Sequence, residues 1–292
     1  MIFSAKDIDM KLDINFPPDF RPRYGYACDI SKHILAIFSH HDAKMREMVK
    51  DLAKYRTLFS AIPIGADAKS LQPRWINGWF PSLDCMMLYH LLAQRNPPTY
   101  VEIGSGNSTK FARRAIEDHR LGTRIVSIDP EPRTEVDAIA DEVIRSGVES
   151  VDVSLFSQLD TDSVVFFDGS HRCFQNSDVT VFFIDILPEL KAGTTVGIHD
   201  VYWPWDYPPA WVERYYNEQY MLGTYMLAFG LAFPLIFACA HAARTFQREL
   251  AEVLPEAVVA AVQQKSGYVG GSGVWFEKPA IDYGMTPDPF PS

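Results

Sequence analysis

From Thr99 onward the chain alternates short apolar runs with amphipathic stretches. Runs near 99–103, 124–128, 150–153, 163–167 and 194–198 have the length of buried strands, and the stretches near 108–119, 132–146 and 177–190 carry helical spacing. Two further runs, about 233–239 and 272–277, flank a helical segment from Ala242 to Gln264. Strands that alternate with helices pair in parallel and are covered on both faces. The pattern predicts an α/β fold with a doubly wound, seven-stranded, mostly parallel sheet, whose ligand sits at the carboxyl ends of the strands at the topological switch point.

The first hundred residues read differently. Pro17-Pro18 and Arg21-Pro22 mark an irregular start, and a helical pattern then runs from about Ser39 to Ala61, with Met45, Met48, Val49, Leu52, Tyr55 and Leu58 on one stripe. After a loop containing Trp75 and Trp79, Ser82 stands where it can cap a helix through Leu83 to Leu92 that ends before Pro97-Pro98. These shifts divide the chain into an N-terminal helical extension (1–80), a ligand-binding domain (81–280) and a C-terminal tail (281–292). The uncharged stretch Met221 to Ala240 has the length of a membrane span, but Gly223, Gly230 and Pro234 divide it. It reads as a helix from about Asn217 to Leu231 followed by a buried strand.

Composition narrows the function. With 292 residues, 47% of them hydrophobic, the chain can bury a full core. A net charge of −10 argues against a broad grip on nucleic acid, which needs clustered Lys and Arg. Cys28, Cys85, Cys173 and Cys239 are scattered, with no Cys-x-x-Cys pair and no signal-peptide pattern ahead of them, so free thiols and a cytoplasmic location are expected.

The chemistry concentrates at strand ends. Val101-Glu-Ile-Gly-Ser-Gly-Asn-Ser-Thr109 runs from a strand into a glycine turn and a helix start: Gly104 and Gly106 let the backbone turn and approach a ligand, and Ser108 or Thr109 can cap the helix. A dinucleotide fingerprint wants a third glycine where Thr109 stands, and Glu102 would repel a pyrophosphate. S-adenosylmethionine, with its ammonium and sulfonium, suits an acidic turn better. Asp129 closes the second strand roughly 20 residues on, where an acid accepts hydrogen bonds from ribose hydroxyls.

With these elements placed, the chain resembles the class I S-adenosylmethionine-dependent methyltransferases over roughly 80–278. The matching pieces are Glu102-Ile-Gly-Ser-Gly-Asn-Ser-Thr109, Ser127-Ile-Asp129-Pro130, Phe166-Phe-Asp168-Gly-Ser-His171 and Gly197-Ile-His199-Asp200, followed by Asp206-Tyr-Pro-Pro-Ala-Trp211 and Asn217-Glu-Gln-Tyr220. The last three look like a subgroup of bacterial small-molecule methyltransferase-like proteins. The resemblance implies the Rossmann-like methyltransferase fold and assigns the methionine part of the cofactor to Gly104, Ser105 and Gly106, with Glu102 and Ser108 supporting. The ribose goes to Asp129, and the adenine lies against the segment around Ser154 to Phe156.

Asp168 and Asp200 close strands four and five, which the expected order makes neighbours. Some O-methyltransferases of this fold hold Mg²⁺ with acids at such positions, which marks Asp168 and Asp200 as candidate metal ligands, although Ser170 stands where sugar-modifying relatives often carry a second acid and His199 where they carry an acid or amide. Asp168 is also a candidate for the cofactor's ammonium. His171 and His199 are candidate general bases, because imidazole titrates near neutral pH, although alternation along the strand can turn His199 to the far face of the sheet. The aromatic segment Val201 to Trp211, with Tyr215 and Tyr216, suits either an acceptor pocket or an accessory core.

The expected activity is transfer of a methyl group to a small-molecule hydroxyl, on a saccharide or secondary metabolite, with no nucleic-acid or membrane partner; homo-oligomerisation is left open. The alternatives are a module that binds S-adenosylmethionine without transferring the methyl, and a nucleotide-dependent oxidoreductase, which Glu102 and the absent third glycine disfavour.

Overall fold

The computed structural model describes residues 20–65, 70–266 and 269–284; Pro17-Pro18 and the last eight residues of the expected tail, 285–292, lie outside the described residues. Seven strands form one sheet: β1 (Thr99–Ile103), β2 (Arg124–Ile128), β3 (Glu142–Ile144), β4 (Val164–Phe167), β5 (Thr195–Ile198), β6 (Leu235–Ala238) and β7 (Val274–Glu277). Their order is β3-β2-β1-β4-β5-β7-β6, all parallel except β7. The order reverses between β1 and β4, so the carboxyl ends of those two strands open the crevice in which a doubly wound sheet holds its ligand.

Three helices, α1 (Lys32–His40), α2 (Asp42–Asp51) and α3 (Arg56–Ser60), precede α4 (Ser82–Arg95) and α5 (Asn107–His119). The later helices are α6 (Ser154–Ser157), α7 (Asp178–Val181), α8 (Leu187–Glu189), α9 (Glu218–Phe229), α10 (Cys239–Thr245), α11 (Gln247–Val253) and α12 (Glu256–Ser266). One apolar core runs through the protein, from Phe38, Met45 and Phe59 of the early helices through Leu83 and Leu88 to Val165, Phe166 and Trp275 of the sheet. Trp275 stacks on Phe166 at 5.2 Å and crosses the face of Gly197, where any Cβ would strike its ring.

Several elements differ from the sequence reading. The expected helix over 39–61 breaks at His41 and at the 3₁₀ turn Leu52–Tyr55. The expected helix over 132–146 and strand over 150–153 are absent; that stretch holds a 3₁₀ turn at Asp137–Ile139, the strand β3 and a second 3₁₀ turn at Val148–Ser150. Arg113 of α5 explains the change. Its guanidinium donates to the Ile139 carbonyl and to Asp141, while Asp141 accepts from the Ile125 amide, pinning the chain beside β2 in extended form. The segment 177–190 is α7 and α8 joined by a π-helical turn at Phe182–Ile186, and 242–264 is three helices, restarting after Leu254 and Pro255.

Ser82 does not cap α4: it is the first helical residue, Pro81 precedes it and its hydroxyl makes no hydrogen bond. The uncharged stretch 221–240 is divided into α9, a 3₁₀ turn at Gly230–Ala232 and β6, and among the described residues no helix is long and apolar enough to cross a membrane. Cys28, Cys85, Cys173 and Cys239 are free thiols.

Candidate active site

The turn after β1 is held from below. Glu102 is fully buried, accepts from the Tyr100 hydroxyl at 2.9 Å and from the Thr109 hydroxyl, and Thr109 in turn accepts the Gly106 amide. Burial pushes its carboxyl up to about 7, against those hydrogen bonds, which favour the charged form. Glu102 therefore ties the glycine turn to α5; it does not line the cleft, which corrects the expectation that its charge faces the ligand. Gly104 has φ +84°, and a Cβ there would stand 2.8 Å from the Asp168 carbonyl carbon and closer still to its oxygen. Only glycine fits where β1 and β4 converge. Gly106 leaves its Cβ direction open, and with Ser105 and Ser108 it borders a small recess beside the turn.

Asp129 closes β2 and accepts from the Ser105 amide at 2.7 Å and the Glu131 amide at 2.8 Å. It lies on the wall of a cleft of about 480 Å³ that also touches Gly104, Ser105, Gly147 to Glu149 and Asp168. The resemblance implied an adenine beside Ser154 to Phe156. Phe156 is instead buried in the core, and the wall on that side is Gly147-Val148-Glu149.

Beyond Asp168 lies a second cleft of about 330 Å³. Asp168 borders both, and around it the strand-end residues converge. The Nδ1 atom of His199 is 3.3 Å from Asp168 and 3.7 Å from Asp200, while its Nε2 is 3.3 Å from Asp84. The alternation that could have turned His199 away fails because β5 ends at Ile198 and Asp200 takes a left-handed φ of +51°, so both side chains reach the same place. His171, also left-handed at φ +62°, directs Nε2 to within 3.4 Å of both Asp168 and Asp200, and its Nδ1 lies 2.7 Å from Glu218.

Burial opposes the protonation of both imidazoles, yet Asp168 and Glu218 around His171, and Asp168 and Asp200 around His199, hold both well above the usual histidine range. Asp168 is half-buried, and desolvation works against its charge, but the two imidazoles keep it well below the usual carboxylate range. Burial pushes Glu218 up to about 7, with His171 opposing. One oxygen of Asp168, one of Asp200 and one nitrogen of His199 lie within 4.8 Å of one another, a spread that one cation can span. Ser170 takes no part; its hydroxyl donates to Asp178.

Three contributors escaped the sequence reading. Asp84, from α4, accepts from the Ser272 and Gly273 amides and presents Oδ2 to His199. Asn77 closes the loop before α4: its side chain accepts from the amides of Trp79 and Phe80 and donates to the carbonyls of Arg74 and Phe80, which sets Trp79 and Phe80 on the wall of the second cleft. Glu218 belongs to a quoted motif, but its role was not legible there.

The aromatic segment divides between a cleft wall and the core. Tyr202, Trp211 and Tyr216 line the second cleft, whereas Trp203 and Tyr207 are buried. Gln219 organises the segment, accepting the Tyr202 amide on its side chain and the Trp203 indole on its carbonyl, and Tyr220 donates to Asp206.

Residues 101–201 match the model of a family described as a methyltransferase domain. Among solved structures, the chain is similar to one described as "cmcI-D160 Mg-SAM", at 14% identity over 67% of this chain and 71% of that one with a TM-score of 0.36. It is also similar to the SAH-bound methyltransferase PaMTH1 of Podospora anserina, at 14% identity over 64% of this chain and 80% of that one with a TM-score of 0.37. No curated protein matches the chain.

Proposed function

We propose that this chain, whose residues 101–201 match a methyltransferase-domain model, is a methyltransferase of the class I, S-adenosylmethionine-dependent type and methylates a hydroxyl of a small-molecule acceptor. The observation that carries this reading is the position of Asp168 on the wall of both clefts, one along the glycine turn and Asp129, the other lined by aromatic rings. A donor in the first and an acceptor in the second meet at Asp168.

In this reading the cofactor brings a methyl group on a sulfonium, already a good leaving group, so the protein's work is alignment and proton removal. The glycine turn and Asp129 hold the donor. Tyr202, Trp211, Tyr216 and Phe80 offer flat walls to the acceptor. His171 is the general base: Nδ1–H donates to Glu218, which fixes the ring and leaves Nε2 toward the junction of the clefts. With Asp168 and Asp200 close by and unneutralised, that nitrogen keeps its proton; cationic charge brought into the site frees it.

The donor set fits a divalent cation. Asp168, Asp200 and His199 supply two carboxylate oxygens and one imidazole nitrogen, and Asp84 accepts the Nε2 proton of His199, which leaves Nδ1 as the lone-pair donor. With an imidazole among the ligands, Mn²⁺ or Fe²⁺ suits the set at least as well as Mg²⁺. Such an ion, when bound, lowers the pKa of an acceptor hydroxyl.

The test is calorimetric titration with S-adenosylmethionine, S-adenosylhomocysteine and NADH, with and without Mg²⁺ or Mn²⁺. Saturable binding of the first two alone is expected, tightened or accompanied by metal binding. Absence of binding by either defeats the transferase reading.

A further inference from the structure

The chain carries a net charge of −10, yet the second cleft is ringed by cations. Arg133, which also borders the first cleft, Arg214 and Lys265 line it, and the acids on its wall are Asp168 and Asp200. Among the described residues, none of these three cations forms a salt bridge. Arg133 lies over the Trp79 ring at 4.5 Å, and Arg214 lies over Trp211 at 4.0 Å and Tyr216 at 5.6 Å.

A guanidinium stacked on an aromatic face is held flat while its N–H edge stays free, which is the arrangement that recognises an oxyanion through paired hydrogen bonds. Two such arginine–tryptophan pairs stand on different elements of the same wall. Arg133 and Trp79 come from the loops after β2 and before α4, and Arg214 and Trp211 from the 3₁₀ turn Pro209–Arg214. The Arg172 side chain donates to the Arg214 carbonyl at 2.9 Å and fixes the end of that turn. Trp79 is 59% exposed, far more than a residue of its size needs for packing, so its ring is available to Arg133 and to a ligand.

We propose that the acceptor is an anionic, ring-bearing compound whose hydroxyl lies at Asp168 and whose oxyanion, a carboxylate or phosphate, lies against Arg133, Arg214 and Lys265. The identification of this compound as the methyl acceptor rests on the transfer reading above; the anion preference of the cleft does not. Binding an anionic acceptor also explains why an acidic protein gathers positive charge along this cleft. Anchoring the oxyanion on these cations fixes which hydroxyl of the acceptor reaches the methyl.

The experiment compares matched pairs: hydroxybenzoates, hydroxycinnamates and uronates against their methyl esters, and phosphorylated phenols and sugars against the parent alcohols. Each is titrated with and without saturating S-adenosylhomocysteine. At least one acid is expected to bind roughly tenfold more tightly than its neutral counterpart. Arg214→Gln, or Lys265→Gln, should remove most of that preference while leaving the neutral compound and S-adenosylhomocysteine bound as before; neither residue borders the first cleft. Whether carboxylates or phosphates carry the preference names the oxyanion. Equal binding within every pair, or binding of none of the anions, overturns the anion site even where S-adenosylhomocysteine binds. A retained acid preference with no S-adenosylhomocysteine binding overturns the transfer reading and leaves the anion site standing.

Discussion

Asp84 and His199 lie 115 residues apart in the chain, and the Oδ2 of one is 3.3 Å from the Nε2 of the other. Asp84 belongs to α4, ahead of the segment that matches the methyltransferase family, so an element outside that segment sets the orientation of a strand-end histidine. Asp84 accepts three ways, from His199 and from the amides of Ser272 and Gly273, and it is almost wholly buried. When a cation displaces the Nδ1 proton, a carboxylate so placed keeps the remaining proton of His199 on Nε2 and leaves the Nδ1 lone pair to the ion.

Asp84→Asn therefore tests the cation site. The amide keeps an oxygen for the two backbone donors but turns an N–H toward the His199 nitrogen. Affinity for Mn²⁺ should fall roughly 10- to 100-fold, with S-adenosylhomocysteine affinity changed little. Calorimetry reads both, and an unchanged Mn²⁺ affinity would remove His199 from the ligand set.

Gly104→Ala tests the convergence of β1 and β4. The new methyl meets the Asp168 carbonyl, and the Asp168 amide already donates to Ile103, so the backbone there cannot retreat without breaking the ladder. Adding the left-handed φ of +84°, the cost should be about 3 kcal/mol or more. In thermal melts the variant should lose at least about 5 °C; a melt that superposes on the native one contradicts the geometry.

How far the sequence reached follows from which signals are local. β1 and β2 lie where the apolar runs of 99–103 and 124–128 put them, because each run is bounded by turn residues and buried on both faces. β3 is three half-buried residues on the sheet's edge, and the apolar spacing before it imitates a helix; only Arg113, reaching from another element, decides for extended chain. The site divides in the same way. Asp168, His171, His199 and Asp200 are legible because strand ends are where such a sheet carries its chemistry. Asp84 and Glu218 are not, since their partners are fixed by packing across 115 and 47 residues, and no spacing in the chain announces that. Glu102 was legible as an acid in the turn but not in its direction, which the Tyr100 and Thr109 hydroxyls decide.

The burial of Glu102 has a consequence for stability. Its carboxyl titrates near 7 in the folded protein against an ordinary 4.5. Between those values the native state holds a proton that the unfolded chain has released, so stability falls as pH rises from about 4.5 to about 7 and stays lowered above. The contribution is about 3 kcal/mol. Glu102→Gln has no such titration. Its melting temperature, relative to the native protein's, should climb steadily between about pH 5 and pH 7.5 and then level; a difference that is flat in pH would mean that Glu102 titrates normally.

Glu218→Gln bears on the base. Burial works against a charged His171, and Glu218 is one of the carboxylates that nevertheless hold its proton, bonding it at Nδ1. Replacing that carboxylate with a neutral amide removes one source of the raised pKa, so His171 loses its proton at lower pH. A general base works in its deprotonated form, which means that the acidic limb of the profile of kcat against pH should move to lower pH in the variant. The amide also holds the ring less firmly, and kcat at the optimum should drop roughly tenfold, short of the roughly 10²- to 10⁴-fold that loss of a general base costs. The KM for S-adenosylmethionine should hardly change, because Glu218 borders neither the glycine turn nor the Asp129 cleft. A residue with a purely structural role would lower kcat at every pH without moving the limb. A limb that stays in place while kcat falls therefore assigns Glu218 to the fold and takes the base role from His171.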